Sequence, residues 1–237
     1  VSPSFCAVVV AAGRGVRFGR PKQMIDIAGH PLVSWSLHLF GSMPELAALV
    51  IATEAEFVDA MRGLASAYAP SLESSVVAGG ATRQQSVRNA LRAVPERCTA
   101  VLVHDGARPL VREVDVRAGM AAVRPGVGAV LAAPMVDTVK VVKPGTRTVL
   151  RTLDRRELWA AQTPQFGMLD DMLRAHAAAE RDGVDATDDV ALLEHLGLDV
   201  VVVPASGENL KVTHPNDTTV VEAIMRDRLA QLDVRGL

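Results

Sequence analysis

Short runs of valine, alanine and isoleucine recur along this chain with longer amphipathic stretches between them, and that alternation restricts the fold more than any other feature. Strands covered on both faces by crossover helices read as continuous apolar runs, whereas strands with one wet face alternate. The runs predict strands at 5–11, 48–52, 75–78, 100–104, 127–132 and 199–203. The remaining stretches predict helices at 31–40, 54–67, 83–94, 113–124, 165–181, 188–196 and 215–232. The expected fold class is α/β, a doubly wound, mostly parallel open sheet. Ligands of such sheets sit beyond the carboxyl ends of the strands, so the loops after each strand are where chemistry is to be sought.

One segment departs from the alternation. Residues 137–143, a Pro144-Gly145 turn and residues 146–153 read as a hairpin. An isolated hairpin is at best marginally stable in water, and Val139, Val141, Leu150 and Leu153 need a surface to pack on, which a second subunit would supply. With no repeat, low-complexity tract or linker, residues 1–237 are expected to form a single domain with a projecting β-arm at about 134–157.

Bulk properties narrow the partners. Lys+Arg of 25 against Asp+Glu of 27 gives a net charge of −2, so the basic excess of a nucleic-acid binder is absent and any anion site must be local. The apolar stretch 5–12 falls well short of the roughly 18 residues that span a bilayer, so no membrane segment is expected. No basic residue precedes that stretch and it runs into a glycine-rich loop, so it reads as part of the fold rather than as a signal peptide. Cys6 and Cys98 match neither a disulfide framework nor a C-x-x-C motif, which makes a reducing, cytoplasmic setting the expectation.

Chemistry-bearing residues gather after the strands. Residues 11–23, Ala-Ala-Gly-Arg-Gly-Val-Arg-Phe-Gly-Arg-Pro-Lys-Gln, hold three glycines and the cations Arg14, Arg17, Arg20 and Lys22. Backbone N–H groups approach closely where there is no Cβ, so this loop suits a phosphate cradle. It is not a dinucleotide fingerprint, which would need glycine at Phe18, and no P-loop pattern occurs. After the third strand, Gly79-Gly80-Ala81-Thr82 leads to Arg83 and Ser86. This is either a turn whose backbone and Ser86 read a base, or a tight turn with Thr82 as helix cap. The fourth strand delivers Asp105 and Arg108 to its carboxyl end. Asp105 there can take a ribose hydroxyl, a substrate hydroxyl or Mg²⁺, or form a structural pair with Arg108. Polar clusters follow at 134–140, 158–166 and 209–213, and Lys211 is one of four lysines in a chain that otherwise uses arginine. A lysine suggests a compact point charge, with a solvated surface residue as the plain alternative. Thr187-Asp188-Asp189 reads first as a helix cap.

Other schemes lack their residues. There is no G-x-S-x-G elbow, neither cysteine has an electropositive neighbourhood, and the six histidines (30, 38, 104, 176, 195 and 214) show no metal-ligand spacing. His176 and His195 read as polar helix positions, and Trp35 and Trp159 as packing residues.

Six ordered motifs, at 11–23, 79–86, 103–109, 134–140, 158–166 and 209–213, together resemble the 2-C-methyl-D-erythritol 4-phosphate cytidylyltransferases over almost the whole chain. The resemblance implies a Rossmann-like nucleotidyltransferase domain whose β-arm exchanges contacts across a homodimer. It implies transfer of a cytidylyl group from CTP to a polyol phosphate, with Mg²⁺ held mainly by phosphates and Asp105 as its one candidate protein ligand. By the same resemblance Arg17, Lys22 and Lys211 are the catalytic cations, and Ala11, Ala12, Gly13, Gly15, Gly80, Ala81, Ser86 and Ala107 form the nucleotide pocket. Asp105, Arg108, Thr138, Arg155 and Thr163 match positions tied to the sugar phosphate, with Thr138 and Arg155 coming from the partner's arm. The chain departs from the family at Gly106, usually alanine, and at Ala81-Thr82, usually a more acidic pair. A ribitol-5-phosphate cytidylyltransferase shares the nucleotide half and is the nearest alternative, disfavoured by 137–140 and 103–108. A non-catalytic nucleotide-binding regulator would need the first loop alone.

Overall fold

The computed structural model describes residues 3–13 and 22–235. The first half comprises β1 (Phe5–Val10), β2 (Asp26–Ile27), β3 (His30–Pro31), α1 (Leu32–Gly41), β4 (Leu46–Thr53), α2 (Val58–Tyr68), β5 (Glu73–Ala78), α3 (Arg83–Leu91) and β6 (Ala100–Asp105). The second half comprises α4 (Glu113–Ala122), β7 (Val127–Pro134), β8 (Lys140–Val142), β9 (Val149–Thr152), β10 (Trp159–Met168), α5 (Leu169–Asp182), α6 (Val190–His195), β11 (Asp199–Pro204) and α7 (Pro215–Arg235).

Seven strands form one sheet in the order β11-β7-β10-β6-β1-β4-β5. All neighbours are parallel except β10, which runs antiparallel to both β6 and β7. The apolar runs have their expected cause. On β1, Ala7 and Val9 face a core shared with α1, α2 and α4, while Cys6 and Val8 face a second core shared with α3, α5 and α6. Successive side chains on a strand point to opposite faces, so a strand roofed on both sides must be apolar throughout. A third, smaller cluster joins Ile25, Ile27 and Leu32 to Leu110, Val212, Val221 and Met225, fastening α7 beside the end of β6.

The main correction concerns 165–181, read as one helix. Residues 159–168 are instead strand β10, and α5 begins only at Leu169. Its polar Gln162, Thr163 and Gln165 hide the strand from an apolar-run reading, yet all three are buried. Gln165 stays satisfied because its Oε1 accepts from the backbone N–H groups of Asp189 and Val190. A second, smaller difference lies at 54–67, where a 3₁₀ turn at Ala55–Phe57 precedes α2. His176 is also corrected: it is a helix residue buried in the core, 3.6 Å from Asp189 Oδ1.

The hairpin is present as β8 and β9, with Gly145 at φ 72° in the turn. Only glycine adopts that left-handed conformation without strain. Lys140 Nζ donates to Thr152 Oγ1 across the pair at 2.8 Å. The arm is solvated on this chain: Val136, Val142, Val149 and Leu150 are all exposed, Leu150 at 59%.

Candidate active site

A cavity of about 1270 Å³ opens where β1, β4, β5 and β6 end, as the sheet rule anticipates. Its walls are Ala12 and Gly13 after β1, Glu54 after β4, Gly79 to Arg83 after β5, Asp105 and Ala107 from β6, and Lys22 and Lys211.

The turn after β5 is built for close approach. A Cβ on Gly79 would collide with that of Ala12 and come within 2.9 Å of Ser86 Oγ. Thr82 caps α3 by accepting from the Gln85 N–H at 3.1 Å. Ser86, fully buried, accepts from the Gly80 N–H at 3.0 Å and donates to the Thr82 carbonyl at 2.9 Å. Of the two readings of this segment the cap is present; Gly80 and Ala81 line the cavity, while the Ser86 hydroxyl is bonded within the turn.

Asp105 is the electrostatic centre of the floor. Its Oδ1 accepts from Arg83 Nε at 3.0 Å and its Oδ2 from Lys211 Nζ at 2.6 Å. Arg108, the partner that sequence reading offered it, instead donates to the Asn209 carbonyl at 2.7 Å. Burial pushes the Asp105 carboxyl up, but the charges of Arg83 and Lys211 outweigh this and hold it well below the usual carboxylate range. The far side of Arg83 is occupied too, Nη2 meeting Asp189 Oδ2 at 2.8 Å. Burial alone would raise Asp189, and the Arg83 charge holds it low.

Beneath Asp105 lies a fixed network. The Asp105 N–H donates to Thr163 Oγ1 at 3.0 Å. The Arg108 carbonyl can only accept, so His104 carries its proton on Nε2 and donates to it at 3.1 Å, with Ser36 Oγ beside it; Nδ1 of the neutral ring then accepts from the Thr163 hydroxyl at 3.1 Å. Burial pushes the imidazole down to about 4, so the ring is neutral at ordinary pH. From the late segment, Asn209 Nδ2 donates to Gln162 Oε1 and to the Thr163 carbonyl. The Val212 N–H reaches the Ala107 carbonyl, while Lys22 Nζ reaches the Val212 carbonyl at 3.2 Å. Two cations from opposite ends of the chain, Lys22 and Lys211, are thereby brought to one wall.

Of the residues singled out from sequence, Ala12, Gly13, Lys22, Gly80, Ala81, Asp105, Ala107 and Lys211 line the cavity. Ala11 is buried at its back, and Ser86 and Thr163 lie behind the lining. Thr138 and Arg155 lie on the exposed arm outside this chain's own cavity, Arg155 Nη1 donating to the Val136 carbonyl at 2.9 Å. Arg14, Gly15, Arg17 and Arg20 fall outside the described residues. Arg83 as a bridge, Asp189 as its counter-charge and Glu54 as a lining carboxylate carried no local signal, because each gains its role from a segment far away in sequence. Among the described residues no three or more His, Cys, Asp or Glu side chains gather as a metal cage.

The family model described as IspD, 2-C-methyl-D-erythritol 4-phosphate cytidylyltransferase, matches residues 5–227. A protein of that name from Gloeobacter violaceus is 39% identical over 226 residues, covering 94% of this chain and 97% of that protein. The crystal structure of the Thermus thermophilus protein of that name superposes with a TM-score of 0.76 at 31% identity, covering 92% of this chain and 98% of that one. A 4-diphosphocytidyl-2C-methyl-D-erythritol synthase from Anaerococcus prevotii shares the fold at a TM-score of 0.85 and 23% identity, covering 95% of this chain and 100% of that one. With a seven-stranded sheet, a strand-end cavity and this length of match, the chain belongs to the 2-C-methyl-D-erythritol 4-phosphate cytidylyltransferase family.

Proposed function

We infer that this chain transfers the cytidylyl group of CTP to 2-C-methyl-D-erythritol 4-phosphate. The products are 4-diphosphocytidyl-2-C-methyl-D-erythritol and pyrophosphate, in non-mevalonate isoprenoid precursor synthesis. The observation that carries the reading is the convergence of Lys22, Asp105 and Lys211 on one strand-end cavity in a chain matching that family over residues 5–227.

A phosphate oxygen of the sugar phosphate attacks the α-phosphorus of CTP in line, a P–O bond forms, and the bond to pyrophosphate breaks. The nucleophile is already an anion, so no side chain has to remove a proton. The protein's work is to hold two repelling anions together and to neutralise charge growing on the α-phosphate and the leaving group. Arg17, Lys22 and Lys211 do this. The backbone of Ala11, Ala12, Gly13, Gly15, Gly80, Ala81 and Ala107 holds the nucleotide, with Ser86 fixing the Gly80 turn. Asp105, Arg108 and Thr163 orient the sugar phosphate, with Thr138 and Arg155 reaching in from the arm of a second subunit.

The donor set fits a Mg²⁺ carried mostly by phosphate oxygens, because Asp105 offers one strand-end carboxylate where an all-protein cage would need several. Asp105, whose two oxygens are here paired with Arg83 and Lys211, is the side chain that would meet the ion through a remaining lone pair, and the ion would supply charge neutralisation on the phosphates. We read residues 1–237 as one domain acting as a cytoplasmic homodimer through the arm at 134–157, without nucleic acid or membrane. No described helix is long and apolar enough to cross a bilayer.

The deciding experiment is pyrophosphate release with CTP, Mg²⁺ and either methylerythritol 4-phosphate or ribitol 5-phosphate. Turnover confined to the first supports the reading. Faster turnover with the second would reassign the substrate, and CTP binding with no turnover on either would make the chain a regulator.

A further inference from the structure

Arg83 lines the cavity yet bonds two carboxylates, through Nε and Nη2, and that is unusual for a residue placed where phosphates are to be bound. A guanidinium facing a polyphosphate pocket is a fork that fits phosphate oxygens in pairs. Here Nε is spent on Asp105 Oδ1 at 3.0 Å and Nη2 on Asp189 Oδ2 at 2.8 Å. Asp189 is itself held from behind. It begins α6, it is 1% exposed, its N–H donates to Gln165 Oε1 at 2.8 Å, and His176 Nε2 stands 3.6 Å from its other oxygen. The four groups Asp189, Arg83, Asp105 and Lys211 form a row of alternating charge that sums to zero, with Lys211 at its open end.

Alternation decides which cation is available to a substrate. Arg83 has two carboxylate partners, whereas Lys211 has one, and the Lys211 side chain is 39% exposed against 27% for Arg83. Remove the Asp189 charge and Arg83 becomes a cation with one partner and a free fork in the cavity wall. It then competes with Lys211 for phosphate and pulls away from Asp105.

We propose that Asp189 is a positioning residue for cytidylyl transfer, acting through Arg83: it keeps the guanidinium on Asp105 and off the substrate phosphates, leaving Lys211 as the cation that serves them. This rests on the reading that the cavity takes the phosphates of CTP.

The test uses the full chain with Mg²⁺ and reads inorganic pyrophosphate affinity by calorimetry beside steady-state kinetics with CTP. Asp189→Asn should bind pyrophosphate on the order of tenfold more tightly, the scale of one added charged hydrogen bond. Its kcat and its KM for CTP should fall together, since the new contact holds the bound ground state more firmly than the transition state. A merely structural role would lower kcat with the folded fraction and leave KM and pyrophosphate affinity alone, and that result would overturn the proposal. Arg83→Gln/Asp189→Asn removes both charges and leaves a neutral pair able to hydrogen-bond, so it decides the matter even if the single variant does not fold. Pyrophosphate affinity within about twofold of the starting protein is expected there, because Arg83 is not a phosphate ligand. A loss of tenfold or more would mean that it is one, and would end the proposal. If the unaltered protein bound neither pyrophosphate nor CTP, the assignment of the cavity itself would fail, which is a different result from unaltered binding with an unresponsive Asp189→Asn.

Discussion

The cavity floor and the β-arm are made by opposite strategies. Under the floor, side chains of β6, β10 and the 209–213 segment are buried and mutually bonded, so that each group is held by two or more others. On the arm, β8 and β9 pair only with each other, and Val142, Val149 and Leu150 face solvent. The floor needs nothing outside this chain to keep its shape. The arm carries apolar surface that this chain does not cover, and such surface on a hairpin marks a place where another surface is wanted. The floor is thus rigid by construction, while the arm leaves apolar surface uncovered on this chain.

The comparison can be broken by substitution, and the largest effect belongs beneath the floor. Phe166 on β10 is fully buried and fills the space left by Gly119, where a Cβ would strike its ring. Phe166→Ala should cost about 3–5 kcal/mol in urea unfolding. A loss under about 1 kcal/mol would show that β10 is not the fixed element described. Next comes Lys22→Ala, expected to lower turnover by on the order of 10²–10³, equivalent to about 3–4 kcal/mol of transition-state stabilisation, with the fold intact by circular dichroism. Lys22→Ala and Arg155→Ala proteins, each weak alone, should recover activity when mixed and re-associated, because one site in a mixed dimer keeps both groups. No recovery, with mixing verified, would place Arg155 in its own chain's site.

A third effect is a matter of pH. Burial holds the His104 imidazole at about 4 against an ordinary 6.5, so the unfolded chain binds a proton that the folded one refuses. Stability should therefore fall as pH drops from about 6.5 to about 4, by roughly 3 kcal/mol across the window. The depressed carboxyls of Asp105 and Asp189 add their own losses only below their ordinary value of 3.8. Unfolding curves at about pH 7.5 and about pH 4.5 should show the loss in the unaltered protein and a smaller one in His104→Gln; equal slopes would clear His104 of the effect. The smallest expected change is on the arm, where Leu150→Ala should shift monomer stability by no more than about 0.5 kcal/mol. The same variant should weaken self-association in sedimentation experiments, and unchanged association would take Leu150 out of any interface.

The same contrast explains what the amino-acid order makes legible. Strands roofed on both faces announce themselves by composition, which is why β1, β4, β6, β7 and β11 are predictable to within a few residues. The hairpin is legible because alternation and a Pro-Gly turn act locally. β10 is not, because its glutamines and threonine are buried against polar partners that only the folded chain supplies. Lys22 and Lys211 stand out as two of four lysines, and Asp105 as a charge at the end of an apolar strand. The partner of Asp105 is easily misassigned, since a neighbour three residues away on a turn looks closer than Arg83, which the sheet brings in from another loop. Asp189 looks like a helix cap for the same reason: its counter-charge lies 106 residues earlier.

The reversed direction of β10 has a further consequence. Its first residue, Trp159, is paired with Pro134 at the end of β7, so the chain leaves the sheet and re-enters it at adjoining rungs of the same ladder. Everything between is a closed excursion, and it springs from the rim where the parallel strands end. It can lengthen, shorten or exchange its side chains without moving a single rung beneath it. Changes of length and side chain can therefore accumulate on the excursion while the cavity at the strand ends stays untouched.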